Sequence, residues 1–205
     1  MPRYDVATLN FEIGKVPAAL ARIQEAVNGP KRRGRLLACW VAEIGDLNQV
    51  MVISGYENDA HLIEDREVAI LGGNPFGVGE FLTGSSFDTF VQMPFLNALR
   101  PGAHGPFYEV RIYKFKPSGV APTIALWQDT IGPRTALSPL LAAMYGIDGP
   151  APRFIHIWPY KDLKGRQDIR VKATEMKVWP PKGGHAHLET MSSRIYLPAS
   201  FSPLS

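Results

Sequence analysis

Two stretches of this chain are built alike. Gly45-Asp46-Leu47-Asn48-Gln49-Val50-Met51-Val52-Ile53-Ser54-Gly55-Tyr56 and Arg153-Phe154-Ile155-His156-Ile157-Trp158-Pro159-Tyr160 each read as a short buried strand closed by a Tyr and followed by a helix start. An offset of about 104 residues lays Tyr56 on Tyr160, Tyr4 on Tyr108, Phe11 on Phe115, Leu36-Leu37-Ala38 on Leu140-Leu141-Ala142 and Arg66 on Arg170. An internal repeat is a strong constraint, because whatever one copy folds into the other must fold into as well. With 205 residues, each copy has roughly 100, the size of one small domain.

The elements follow from local pattern. Tyr4–Phe11 alternates as a strand. Val16, Leu20, Ile23 and Val27 share one face of a helix over Lys15–Asn28, which Gly29-Pro30 stops. Leu36–Ile44 and Gln49–Tyr56 form a hairpin around Gly45-Asp46. Asn58 caps a second helix, Asp59–Leu71, broken by Gly72-Gly73-Asn74-Pro75, and Ser85–Phe95 closes the half as a strand. The second half repeats this order. Tyr108–Phe115 is a strand, Val120–Ile131 a helix, Leu140–Tyr145 and Arg153–Tyr160 a hairpin. A helix capped by Asp162 runs to about Met176, and Leu188–Leu197 is the last strand. The Pro/Gly-rich Arg100–Pro106 is the linker between repeats of residues 1–101 and 106–205.

Each half is therefore α+β with the order βαββαβ, a ferredoxin-like arrangement that leaves one sheet face bare. Two such tandem repeats packed sheet to sheet hide both bare faces. The product is an intramolecular α/β barrel that needs no second chain, although copies can still pair as a homo-oligomer through outer edges.

Several segments resemble the NIPSNAP family of the dimeric α/β-barrel superfamily. Phe107-Tyr108-Glu109-Val110-Arg111-Ile112-Tyr113 is similar to the family's opening strand. Gly45-Asp46-Leu47-Asn48-Gln49-Val50 resembles its hairpin, His156-Ile157-Trp158-Pro159-Tyr160 its His-x-Trp-x-Tyr strand, and Pro198-Ala199-Ser200-Phe201-Ser202-Pro203-Leu204 its tail. The two halves depart in complementary ways. The first has Val52 and Ser54 where the pattern has His and Trp; the second has Asp148-Gly149-Pro150-Ala151-Pro152 in place of the Leu-Asn turn. The resemblance implies the barrel fold. It implies no single reaction: the family is linked to vesicular transport, mitochondrial function and protein interactions. The wider superfamily holds cofactor-independent monooxygenases, haem-degrading oxygenases and lactone isomerases, and fold alone does not choose among them.

Candidate chemistry concentrates in few places. His156, Trp158 and Tyr160 alternate and share one strand face. There His156 is the candidate catalytic acid or base, and Trp158 and Tyr160 are ligand walls; the alternative is a buried core His among aromatics. Arg66 and Arg170 sit at equivalent helix positions, and Arg66 lies on a stripe with Leu62, Ile63, Ala69 and Ile70. Each is a candidate grip for an anionic group, or else half of a structural ion pair. Asn48 and Gln49 are further ligand candidates at the barrel mouth, or else caps of their hairpin, and Tyr56 is another ligand candidate. His185 and His187 would share a strand face, but no third donor lies nearby in sequence, so no metal is expected. No cofactor is expected either, since haem has no clear axial ligand beyond the His residues.

Composition narrows the partners. A formal charge of +3 on this length argues against nucleic acid, and the basic run Lys31-Arg32-Arg33-Gly34-Arg35 reads as a solvated turn. No run of about 18 apolar residues predicts a membrane span. The N-terminus lacks a secretory pattern and Cys39 is the only cysteine, which suits a cytoplasmic protein. The expected ligand is a small apolar or aromatic molecule, neutral or anionic, in a sheet–helix pocket. Proton transfer or cofactor-independent oxygenase or isomerase chemistry would follow there; the alternative is a binding or interaction module without turnover.

Overall fold

Residue alternation assigns every strand an inner and an outer face. In β1 (Arg3–Phe11), Tyr4 and Val6 enter one buried cluster while Ala7, Leu9 and Phe11 enter another. The helix α1 (Val16–Val27) covers the second cluster, seating Ala19 and Ile23 against it. The hairpin β2 (Arg35–Ile44) and β3 (Gln49–Tyr56) follows. Next come α2 (Asp59–Leu71), whose N-cap Asn58 accepts the His61 N–H at 3.0 Å, and β4 (Leu82–Gln92). The second half is β5 (Phe107–Phe115), α3 (Val120–Thr135), β6 (Ala142–Gly146), β7 (Arg153–Tyr160), α4 (Leu163–Glu175) and β8 (Leu188–Pro198). Asp162 caps α4 through the Gly165 N–H at 2.6 Å. This computed structural model describes residues 2–30, 32–149 and 152–205.

The eight strands close into one antiparallel barrel in the order β1-β3-β2-β8-β5-β7-β6-β4. Each half contributes four neighbours, β4-β1-β3-β2 and β8-β5-β7-β6, the split βαβ order. Pairing register repeats as well. Arg3 opposite Tyr56 recurs as Phe107 opposite Tyr160, and Ala38 opposite Ile53 recurs as Ala142 opposite Ile157, each 104 positions later. Even the irregularity between Asn10 and Phe11 recurs between Lys114 and Phe115.

The bare faces meet inside the barrel. Tyr4, Val6, Trp40, Met51, Ile53, Phe90, Tyr108, Met144, Ile157 and Tyr196 form one buried cluster, with Trp40 stacked on Tyr108 at 4.4 Å. The C-terminal tail plugs it: Ser202 Oγ accepts the Cys39 N–H, and the Leu204 carbonyl accepts the Trp40 indole N–H at 2.9 Å. The halves join by hydrogen bonds at two seams, β2–β8 and β4–β6. Every barrel strand thus has a neighbour on each side, but both seams are short: β4 pairs with β6 only over residues 90–92 and β8 with β2 only over residues 195–198, which leaves residues 82–88 and 188–194 paired to one strand each as outer edges.

Two expectations change. The stripe on α2 is not a core face: Leu62 is buried, whereas Ile63, Val68, Ile70 and Leu71 are exposed. Polar contacts hold the helix instead, because a cleft opens beneath it: Arg66 reaches Asp5, and Asp65 accepts from the Gly34 N–H and Tyr56 hydroxyl. In α3 the chain stays helical past Ile131 and through Pro133 to Thr135, which carries Arg134 into the interior at 3% exposure. Among the described residues no helix is long and apolar enough to cross a membrane.

Candidate functional site

Each half has a cleft on the outer side of its sheet, beneath its second helix. The repeat places an acid, a Tyr and an Arg in both: Asp5, Tyr56 and Arg66 in the first, Glu109, Tyr160 and Arg170 in the second. The first cleft, about 430 Å³, is self-neutralised. Arg66 donates to Asp5 Oδ1 at 2.6 Å and to Asp148 Oδ2 at 2.9 Å. Asp148 comes across the β4–β6 seam from the turn before β7, where Thr89 fixes it through its N–H and hydroxyl. The residues that depart from the family turn thus supply Arg66 with its second carboxylate; Pro150 and Ala151 lie outside the described residues.

The second cleft, about 280 Å³, is not neutralised. Its floor is the outer face of β5 and β7. Alternation along β5 turns Glu109, Arg111 and Tyr113 outward, opposite Trp158, His156 and Phe154 of β7. Glu109 is fully buried, and its Oε1 accepts from Arg166 at 2.5 Å, Ser193 at 2.7 Å and Arg111 at 2.8 Å. Burial pushes its carboxyl up, but Arg166, Arg111 and Ser193 prevail and hold it down at about 2. Arg111 also donates to the Tyr113 hydroxyl at 2.6 Å.

Two guanidiniums remain without a carboxylate. Arg134 lies 4.1 Å over the Trp158 ring and donates to Ser138 and to the Tyr160 hydroxyl. Its pKa is lowered by burial and by Arg170, yet an Arg stays charged at any ordinary pH. Arg170, on α4, lines the cleft with no side-chain ion pair or hydrogen bond among the described residues. Trp179, Pro180, His185 and Met191 complete the wall.

His156 is 2% exposed and packs edge-on to Trp127 and Tyr113. Its Nδ1 accepts the Trp158 indole N–H at 2.7 Å. Indole only donates, so a neutral ring carries its own proton on Nε2. Burial first, then the charges of Arg111, Arg134 and Arg170, hold its pKa well below the usual value despite Glu109. Near neutral pH, His156 is therefore an N–H donor rather than a proton carrier.

The structure brings together His156, Trp158, Tyr160 and Arg170. It does not bring Arg66 and Tyr56 to them; those two line the other cleft. Asn48 and Gln49 reach neither cleft. Asn48 takes the positive φ of the hairpin turn, and Gln49 points into the barrel, where it bonds Asn10 and the Tyr196 hydroxyl. His185 and His187 sit on the 3₁₀ turn Gly184–His187, not on a strand, and no group of three metal-ligating side chains exists among the described residues. Sequence reasoning passed over Glu109, Arg111 and Arg134. The first two carried a signal, charged residues alternating on the helix-covered face of a strand; Arg134 lies three residues past Ile131, where the helix was expected to end.

The comparisons with known proteins agree with this architecture. A Dictyostelium discoideum NipSnap homologue is 22% identical over 213 residues, covering 95% of this chain and 86% of that protein. NipSnap homolog 2 of Danio rerio is 27% identical over 128 residues, 62% of this chain but 45% of that protein. Among solved structures, an anthrone oxidase-like protein superposes with a TM-score of 0.64 at 13% identity, over 97% of this chain and 91% of its own. A monooxygenase-like protein from Lactobacillus acidophilus gives 0.59 at 12% identity, over 96% and 93%. At such identities the likeness is one of fold. The NIPSNAP family model matches residues 4–70 and 108–203, one stretch in each half of the barrel, and the chain belongs to the NIPSNAP family.

Proposed function

We propose that the cleft of the second half binds a small organic anion with an aromatic or apolar body. The supporting observation is the charge imbalance: Arg111, Arg134 and Arg170 face one carboxylate, Glu109, which Arg111 and Arg166 already occupy. A desolvated guanidinium favours a planar oxyanion, and Trp158, Tyr160 and Trp179 supply flat walls for the rest of the ligand. Such a site also stabilises an enolate or phenolate formed from a bound substrate. That is the step shared by cofactor-independent oxygenase and isomerase chemistry; two proteins of similar fold are a monooxygenase-like and an anthrone oxidase-like protein.

A binding module without turnover is the second reading, and one observation favours it. His156 is held neutral and Glu109 ionised, so neither changes protonation near neutral pH. Oxygen uptake with an anthrone separates the two; uptake no greater than without protein leaves the binding reading alone.

Binding itself is tested with benzoate against neutral benzamide, followed by calorimetry or by quenching of Trp158 and Trp179. Benzoate should bind at least about tenfold tighter, the worth of one hydrogen bond to a charged group. Arg170→Gln should remove most of that preference. Equal affinities for the two probes would defeat the proposal.

A further inference from the structure

Two polar atoms at this cleft have no hydrogen-bond partner among the described residues although both side chains are buried. They are Glu109 Oε2 and His156 Nε2. They are of opposite kind. Glu109 is ionised, so Oε2 only accepts; the Trp158 contact places the His156 proton on Nε2, so Nε2 only donates. They do not satisfy each other. They are also close, since Glu109 pairs across to Trp158 and Arg111 to His156, which makes Glu109 and His156 diagonal neighbours on one face of the β5–β7 ladder. Diagonal residues stand about 7–8 Å apart, near enough for one small group to touch both side chains.

A buried acceptor beside a buried donor selects its occupant. A carbonyl or ether oxygen answers only Nε2. An ammonium or amide N–H answers only Oε2. A hydroxyl gives its proton to one atom and takes a proton from the other. Leaving either atom bare in a desolvated cleft is costly, so the group that closes both is strongly preferred. Arg134 and Arg170 line the same cleft and call for an oxyanion elsewhere on the molecule.

We infer that the ligand of this cleft is a hydroxylated aromatic acid, its hydroxyl bridging Glu109 and His156 and its carboxylate held by Arg134 and Arg170. The inference rests on the anion-binding reading above and adds the second functional group. It gives His156 and Glu109 positioning roles: they recognise a hydroxyl rather than exchange its proton.

The first arm of the test needs no variant. The full chain is titrated by calorimetry with benzoate and with the ortho, meta and para monohydroxybenzoates. At least one hydroxybenzoate should bind about tenfold tighter than benzoate. His156→Phe keeps an aromatic ring but lacks the donor, and the affinity ratio of that hydroxybenzoate to benzoate should fall toward about one. Benzoate binding with no gain from a hydroxyl at any position overturns the inference and leaves the anion site standing. Failure of all four acids to bind removes both. An unchanged ratio in the His156→Phe protein shows that the hydroxyl is recognised elsewhere, which overturns the assignment as well.

Discussion

Glu109→Gln should destabilise the protein in a pH-dependent way, and the size follows from the carboxyl's surroundings. The folded-state pKa is about 2 against an ordinary 4.5, because the contacts from Arg166, Arg111 and Ser193 overcome burial. At about 1.36 kcal/mol per pKa unit, that difference is worth about 3 kcal/mol. The sign is fixed by the direction. A carboxyl depressed in the folded state contributes its full stabilisation above the unfolded value, near 4.5, and loses it as pH falls toward about 2. Glutamine keeps the shape and one acceptor but leaves Arg111 and Arg166 facing no charge, so the neutral-pH cost is that of breaking a buried pair, about 3–5 kcal/mol. Urea unfolding followed by far-UV circular dichroism measures this for both proteins between about pH 7 and pH 2.5. Other carboxylates titrate alike in the two proteins and cancel in the difference. The gap should be widest near neutrality and should close by most of its size below about pH 4. A gap that stays constant across that range would mean that the arginines do not hold Glu109 ionised.

Three further outcomes are expected. Asp5, the counterpart of Glu109, is pushed up by burial despite Arg66, while Arg66 is itself raised by Asp5; the acid is the more deeply buried partner, so its desolvation decides the sign. A raised carboxyl destabilises the fold once ionised, and Arg66 retains Asp148, so Asp5→Asn should change neutral-pH stability by less than about 1 kcal/mol in the same urea assay, or raise it. Cys39 is fully buried with its thiol pushed up to about 12, so Ellman's reagent should fail to label it in the native protein and react only as urea unfolds the chain. Residues 1–101 and 106–205 expressed apart each bare two seam strands and an apolar sheet face; alone they should unfold or aggregate, and refolded together they should recover the circular dichroism of the intact barrel.

The architecture could be read early because a duplicated chain states its plan twice. The strands Gln49–Tyr56 and Arg153–Tyr160 and the helix Asp59–Leu71 stand where alternation and capping put them. The fourth strand was misplaced by a few residues: it starts at Leu82, which pairs with Phe11 across the irregularity after Asn10, a distant register that local pattern does not contain. The cleft was half legible. Outward alternation of His156, Trp158 and Tyr160 was a strand property, visible in eight residues. The partners of Arg66 were not, since Asp5 lies 61 positions away and Asp148 lies 82 away across a seam. Gln49 misled because a polar residue beside a turn normally serves the surface, whereas here it satisfies Tyr196 inside the barrel.

The two halves have diverged where the fold permits it. Inside the barrel the two halves share one cluster, with Trp40 stacked on Tyr108, so a change in one half must be answered in the other, and the interior stays mostly apolar. On the outer face each sheet answers only to its own helices. There Ala7 stands where Arg111 stands, Val52 where His156 stands, and Ser54 where Trp158 stands, by the same 104-residue register. Asp148, Arg134 and Arg166 differ as well, with Ile44, Pro30 and Leu62 as their counterparts, and together these changes let one cleft close its Arg into ion pairs with Asp5 and Asp148 while the other gathers guanidiniums around a neutral His. Splitting one symmetric barrel into a quenched cleft and a charged one keeps the order of strands and helices. It needs only that the copies share a chain, so that each outer face can change without its twin.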